Sequence, residues 1–214
     1  MRLPEPALLI VTDRRQARQP LTEVVRAAVA AGCRWVSLRE KDLADGEQIA
    51  LAHSLLPIVR RHGARLSVHG DPDLAQACGA DGVHLASGSD TAAARHLLGR
   101  DRLIGISIHS AAEVAALDPV YVDYAIAGPA YETTSKPGYG PEIGRKGLAE
   151  VTAAARVPVL AIGGINTVRV AEVLAAGAAG VAVMGSVMRA SDPGQEARAL
   201  IATLAGTTRQ PRPR

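Results

Sequence analysis

Phenylalanine is absent from this 214-residue chain, and Trp35 is its one tryptophan. Aromatics this scarce leave no stacking platform of the kind that single-stranded nucleic acid binders use. No clustered basic face replaces them. The net charge is +3 and the pI about 9.1, yet part of that excess lies in the C-terminal TTRQPRPR, where Arg209, Arg212 and Arg214 sit among prolines. A nucleic-acid partner is therefore not expected. Cysteine is equally sparse. Cys33 and Cys78 each lie beside an Ala/Gly-rich helix end, which reads as two buried thiols in a reducing compartment, not a disulfide framework or metal ligands. Long apolar runs are lacking too. The run in MRLPEPALLIVTDRR is too short for a signal-peptide core, and nothing approaches the ~20 apolar residues of a membrane span. The expectation is a cytoplasmic protein with no membrane partner.

What remains is one domain's worth of small apolar side chains. The chain is 48% hydrophobic and rich in Ala, Val and Leu, a composition that suits a buried sheet covered by helices. Residues 1–206 are expected to form one domain, with 207–214 a disordered basic tail. Short apolar strands begin at Leu8, Trp35, Arg65, Gly82, Leu103, Tyr124, Pro158 and Gly180. Between them run helical patterns such as TEVVRAAVAAG, DGEQIALAHSLLPIVRRHG and TVRVAEVLAAG, apolar at i, i+3 and i+4 and stopped by glycine. GADG before the fourth strand and GAAG before the eighth read as matching helix-to-strand turns. Eight evenly spaced βα units with no interruption predict an α/β protein, a single (β/α)8 TIM barrel, over an open doubly wound sheet.

In such a barrel function gathers at the C-terminal ends of the strands, and those ends are polar here. Strand 2 runs into Arg39, Glu40, Lys41 and Asp42; strand 3 into His69 and Asp71; strand 4 passes His84 toward Ser87, Ser89 and Asp90; strand 5 carries Ser107 and His109. The stretch from Pro158 to Ser186 closes two strands on glycine. Gly163, Gly164 and Gly185 let backbone N–H groups converge on an anion, and a helix opening at Asn166 and Thr167 adds its positive end. Such loops after strands 7 and 8 are a common phosphate grip. Arg39 and Lys41, two apart in a strand, are expected on one face and suit a diphosphate, unless Glu40 and Asp42 neutralise them. Thr133, Ser135 and Lys136 add hydroxyls and a cation in a Gly/Pro loop, which reads equally as a lid. Two anionic substrates, or one bisphosphate, would satisfy both grips.

VSLREKD, GADGVHL, GISIHS, DYAIAGPAYETTSKPG, PVLAIGGI and GVAVM, in this order over nearly the whole chain, resemble the thiamine phosphate synthase family, including its TenI-type thiazole tautomerase branch. The resemblance implies a TIM barrel in thiamin biosynthesis whose strand 7 and 8 glycines hold a thiazole phosphate. In the synthase branch a hydroxymethylpyrimidine diphosphate sits with Mg²⁺ near strands 2 to 4 and 6. Carried over by motif, Arg39 and Lys41 match diphosphate-binding residues. Thr133, Ser135 and Lys136 match the Thr-x-Thr-Lys loop with Ser for one Thr. Ser107 matches a serine near the reacting centre, and Gly164 a phosphate-binding glycine.

The chain also departs from the family pattern. Ser37 stands for Gln, and His69-Gly70 for Asn-Asp, whose Asp is a Mg²⁺ ligand. Gly185 stands for a phosphate-binding Ser, with Ser186 one step on, and Pro129 for the tautomerase His. Asp90 and Asp71 could rebuild a Mg²⁺ site with waters, although the loop ASGS before Asp90 is one residue longer than the pattern.

Retention of the diphosphate cations favours the synthase, a transferase coupling the two substrates with diphosphate as the leaving group. The alternatives are a tautomerase using His69, His84 or His109 for proton transfer, or a non-catalytic thiazole-phosphate binder. Of these histidines His84, inside a strand, reads as structural. The partners expected are thus small molecules; self-association as a homo-oligomer stays open.

Overall fold

The computed structural model describes residues 2–133, 135 and 142–208. Its strands are β1 (Leu8–Val11), β2 (Trp35–Leu38), β3 (Arg65–His69), β4 (Gly82–Leu85), β5 (Leu103–Ile108), β6 (Tyr124–Ala127), β7 (Val159–Ile162) and β8 (Gly180–Val183). All pair in parallel and in sequence order, and β8 returns to β1 through Leu8 beside Val181 and Ile10 beside Val183, so the sheet closes into a barrel. The helices that follow are α1 (Leu21–Ala30), α2 (Asp45–Arg61), α3 (Pro72–Ala77), α4 (Thr91–Leu98), α5 (Ala111–Ala115), α6 (Gly144–Ala154) and α7 (Thr167–Ala175). A one-turn α8 (Gly185–Met188) precedes α9 (Pro193–Thr208), which packs between α1 and α7 and completes the outer ring. The predicted barrel is thus present, on all eight expected strands. Helix α9 continues through Thr208, two residues into the stretch assigned to the tail, and residues 209–214 lie outside the described residues.

Strands of a closed barrel bury both faces, so they read as unbroken apolar runs instead of alternating ones. LLIV, GVAV and YAIA are buried at every position. GADG and GAAG do form matching turns: Gly79 and Gly177 end α3 and α7 with φ of +64° and +96°, where a side chain is strained. At the N-terminal end of the barrel, Arg95 from α4 meets Asp123 at 2.6 Å, and the same carboxylate oxygen accepts the Ile104 N–H at 2.8 Å. This half-buried pair ties α4 to the start of β6, away from the polar mouth.

The interior is not filled by small branched side chains alone. Its largest fully buried residues are Trp35 and Tyr124, packed edge-to-face at 4.7 Å between ring centres. Gly105 makes room for them: it pairs with Tyr124 across the β5–β6 ladder, and a Cβ there would fall inside the tyrosine ring. Gly105→Ala should therefore destabilise the barrel by about 1–3 kcal/mol, read as a lower urea midpoint; an unchanged midpoint would show that Tyr124 can move aside.

Both thiols are buried. Burial pushes each from the ordinary 9.0 up to about 11, with the nearby Asp45 charge adding to the effect at Cys78. A folded-state pKa raised above the unfolded one contributes stability that is full below about pH 9 and is lost as pH climbs toward 11. Urea midpoints measured between pH 8 and 11 should fall across that window, and less steeply in Cys33→Ala/Cys78→Ala.

Candidate active site

The polar network of the mouth begins deep in the barrel. Indole Nε1 can only donate, and Trp35 Nε1 lies 2.9 Å from Ser67 Oγ. Ser67 therefore accepts from Trp35, whose ring packs against that of Tyr124. The phenol, its pKa pushed up by burial, stays protonated and faces His84 Nδ1 at 3.3 Å, while His84 Nε2 lies 2.9 Å from Ser107 Oγ. His84 thereby links the phenol of Tyr124 to Ser107, which lines the cavity. His84, read from the sequence as structural, is buried, yet it also lines the cavity and is bonded to the predicted reacting-centre serine. Its ring lies tilted by 50° against that of His69, with 4.4 Å between ring centres, and His69 Nδ1 meets Ser37 Oγ at 2.9 Å. The two residues that depart from the family's Gln and Asn are therefore bonded to one another.

The charges of the β2–α2 loop are divided by a residue that sequence reasoning missed. Arg14, from the loop after β1, makes two bonds to Asp42, at 2.7 and 2.8 Å, and reaches Glu40 at 3.3 Å. The buried Glu40 also accepts from Thr12 Oγ1 at 2.7 Å and from the Arg14 N–H. Asp42, ahead of Glu40, raises the Arg14 pKa above its ordinary value, and Arg14 holds the Asp42 carboxyl below its own. Both acids that could have neutralised Arg39 and Lys41 are thus occupied.

The expectation that Arg39 and Lys41 share a strand face is corrected. β2 ends at Leu38, so the two-residue alternation does not reach them. Arg39 lines the cavity, its Nε buried and without a partner among the described residues, while Lys41 is exposed on the rim and outside the lining. Neither has a carboxylate partner among the described residues.

The cavity, about 280 Å³, brings most of the predicted residues together. His69 lines it from β3, Ser107 from β5, His109 from just past the end of β5, and Arg39 from the loop after β2. His109 Nδ1 lies 2.6 Å from the Gly128 carbonyl; a carbonyl only accepts, so Nδ1 carries the proton and Nε2 is the basic nitrogen. Opposite, Gly163, Gly164, Gly185, Ser186 and Asn166 form one wall. Asn166 caps α7 by accepting the Arg169 N–H. Ser186 Oγ is buried and has no partner among the described residues.

The glycines serve loop packing as well as an anion. With φ of +62°, a Cβ on Gly164 would meet the Glu132 carbonyl at 2.5 Å, and one on Gly163, at φ +102°, would meet Pro129 at 2.8 Å. The loop after β6 lies directly on them, held by Ala130 N–H to Ile162 O and Tyr131 N–H to Gly163 O. That loop contributes Thr133 and Ser135 to the cavity, with the Ser135 N–H bonded to Thr133 Oγ1; Lys136 lies outside the described residues. Arg189, which the sequence reading passed over, also lines the cavity.

Asp71 and Asp90 stand apart from this cavity. Each precedes a helix as its N-cap position, α3 and α4; Asp90 Oδ1 accepts the Ala93 N–H at 2.9 Å, and the Asp71 side chain makes no capping bond. Among the described residues no cluster of three His, Cys, Asp or Glu could hold a metal.

A family model described as thiamine monophosphate synthase matches residues 8–187. The chain belongs to that family. It is 40% identical over 200 residues to the thiamine-phosphate synthase of Roseiflexus sp. (strain RS-1), covering 92% of this chain and 84% of that one. With the thiamine-phosphate synthase of Xanthobacter autotrophicus it shares 41% identity over 207 residues, 94% and 98% of the two chains. Among solved structures, the thiamine phosphate pyrophosphorylase from Pyrococcus furiosus superposes with a TM-score of 0.83 at 30% identity, covering 94% of this chain and 96% of its own. The family's barrel therefore carries the cavity just described.

The division of charge at the mouth has a measurable consequence. Glu40→Gln should cost about 1–3 kcal/mol of stability, because it removes the charge from a buried acceptor of several hydrogen bonds. Arg39→Met should stay within about 0.5 kcal/mol, since no protein carboxylate depends on it. Urea denaturation of both variants checks this, and a large loss for Arg39→Met would make that arginine structural.

Proposed function

We propose that this chain is a thiamine-phosphate synthase, a transferase that joins a thiazole phosphate to a hydroxymethylpyrimidine diphosphate. The observation that carries the reading is one cavity with two separate anion grips: the uncompensated Arg39 on one side, the Gly163–Gly164 and Gly185–Ser186 loops on the other. The bond from the pyrimidine methylene to the diphosphate oxygen breaks, and the electron pair leaves with the diphosphate. The thiazole nitrogen then supplies the pair for the new C–N bond. Arg39 meets the departing charge, Lys41 strengthens the field from the rim, and Thr133 and Ser135 donate hydroxyls to the same group. Ser107, held by His84, positions the reacting centre, and the glycine wall with Ser186 holds the thiazole phosphate.

Mg²⁺ belongs to this proposal. The carboxylates proposed to hold it are exposed and outside the cavity lining, Asp90 with one oxygen engaged in capping and Asp71 with none so engaged. That set fits an ion that keeps several waters and takes other ligands from phosphate oxygens. When bound, it would supply further charge neutralisation to the leaving diphosphate. We place the enzyme in the cytoplasm, a reading supported by its two buried free thiols. No helix among the described residues is long and apolar enough to cross a membrane.

One observation favours the tautomerase as a second reading. His109, through its bond to Gly128, sits beside Pro129, the position where that branch is expected to have its histidine, and its Nε2 could take and return a proton. Thiamin phosphate formation and proton exchange on a carboxythiazole phosphate separate the two. For the synthase, Arg39→Met and Lys41→Ala should lower coupling, the former by about 10²–10³. Coupling should stop on chelation of Mg²⁺ and fall in Asp90→Asn, which keeps the cap and removes the charge. Absence of coupling at saturating Mg²⁺, with exchange that disappears in His109→Ala, would replace the synthase by the tautomerase.

A further inference from the structure

Position 185 is a glycine in a site that binds an anion, and the space its missing side chain leaves is filled by another residue. A Cβ built on Gly185 would lie 2.5 Å from the Arg189 Cζ and Nη1, and closer still to Nη2. The guanidinium of Arg189 therefore lies flat on the bare face of Gly185, one turn further along the chain, and lines the cavity beside Ser186.

Its partners are all neutral. Nη1 donates to Gln16 Oε1 and to Ser135 Oγ, the latter at 3.2 Å. The Gln16 amide cannot be the other way round, because its Nε2 donates to Asp13 Oδ2 at 2.6 Å and so turns Oε1 toward the arginine. Nη2 has no protein acceptor among the described residues, and neither does the buried hydroxyl of Ser186. A guanidinium held in place by a fixed amide, without a neutralising carboxylate and next to an orphaned hydroxyl, is preorganised for an anion.

We propose that Arg189 is a phosphate-binding residue of the thiazole end of the cavity. It takes over, with a charged fork of donors, the contact that a side chain at position 185 would make. The inference rests on the synthase reading for the identity of the ligand, but the anion site itself can be tested without it. Through Ser135 the same guanidinium touches the loop expected to hold the diphosphate, so the two anion grips share a residue on their common border.

Calorimetric titration of the full-length protein with thiazole phosphate, the unphosphorylated thiazole alcohol and inorganic phosphate tests the assignment. Arg189→Met should weaken both phosphate-bearing ligands about 10–100-fold, the effect of losing a charged hydrogen bond, and leave the alcohol unchanged. Arg189→Lys should recover part of the loss. Gly185→Ser alone should also weaken phosphate, because its Cβ displaces the guanidinium, whereas Gly185→Ser/Arg189→Ala should bind better than Arg189→Ala. Turnover should show the defect in the KM for thiazole phosphate, with the KM for the pyrimidine diphosphate changed less than about threefold. Unchanged phosphate affinity in a folded Arg189→Met overturns the proposal. Arg189-dependent binding of inorganic phosphate without binding of thiazole phosphate would uphold the anion site and overturn the synthase reading. A native chain that binds neither would overturn both.

Discussion

Pairing of β1 with β8 is the constraint on which the rest of this structure depends. Leu8 beside Val181, Leu9 beside Ala182 and Ile10 beside Val183 turn a row of eight strands into a ring. Closure brings the loops after β7 and β8 around to those after β1 and β2. Gly164 and Arg39 are separated by most of the chain, yet they line one cavity. Parallel strands of a closed sheet must all present their C-terminal ends to the same side. The convergence of phosphate loops and cations is therefore a property of the ring before it is one of any side chain.

Within that ring, function depends on how opposite charges are kept apart. The β2–α2 loop carries two acids and two bases in four consecutive residues, a pattern that would ordinarily neutralise itself. Arg14 prevents this by drawing Glu40 inward and Asp42 sideways. Glu40 is fixed further by Thr12, whose hydroxyl oxygen also accepts the Arg39 N–H. One hydroxyl thus holds the acid down and orients the backbone of the free base. Across the mouth the same logic recurs with a neutral group, for Gln16 holds Arg189 without cancelling its charge.

The barrel interior adds a second kind of order. A chain without phenylalanine fills its centre with Trp35 and Tyr124; the indole tip is hydrogen-bonded to Ser67, and the phenol packed against it reaches Ser107 through His84. The aromatic core and the reacting-centre serine are consequently one structural unit.

Local pattern determined much of this. Strand and helix positions, the glycine turns GADG and GAAG, and the eight-fold alternation follow from hydrophobic runs and stops, signals carried by neighbouring residues. Hence the fold, the cavity's glycine wall, Ser107, His69 and His109 were legible in the sequence. The partition between Arg39 and Lys41 was not, because β2 ends one residue before the alternation argument needs it to. Nor were Arg14 and Arg189, which act on residues 26 and 54 positions away through contacts that exist only once the ring has closed. The sequence by itself determined which elements form and which chemical groups stand at their ends. Tertiary structure alone decided which of those charges are cancelled and which face the cavity, because neutralisation depends on distances across the mouth and not on separation along the chain.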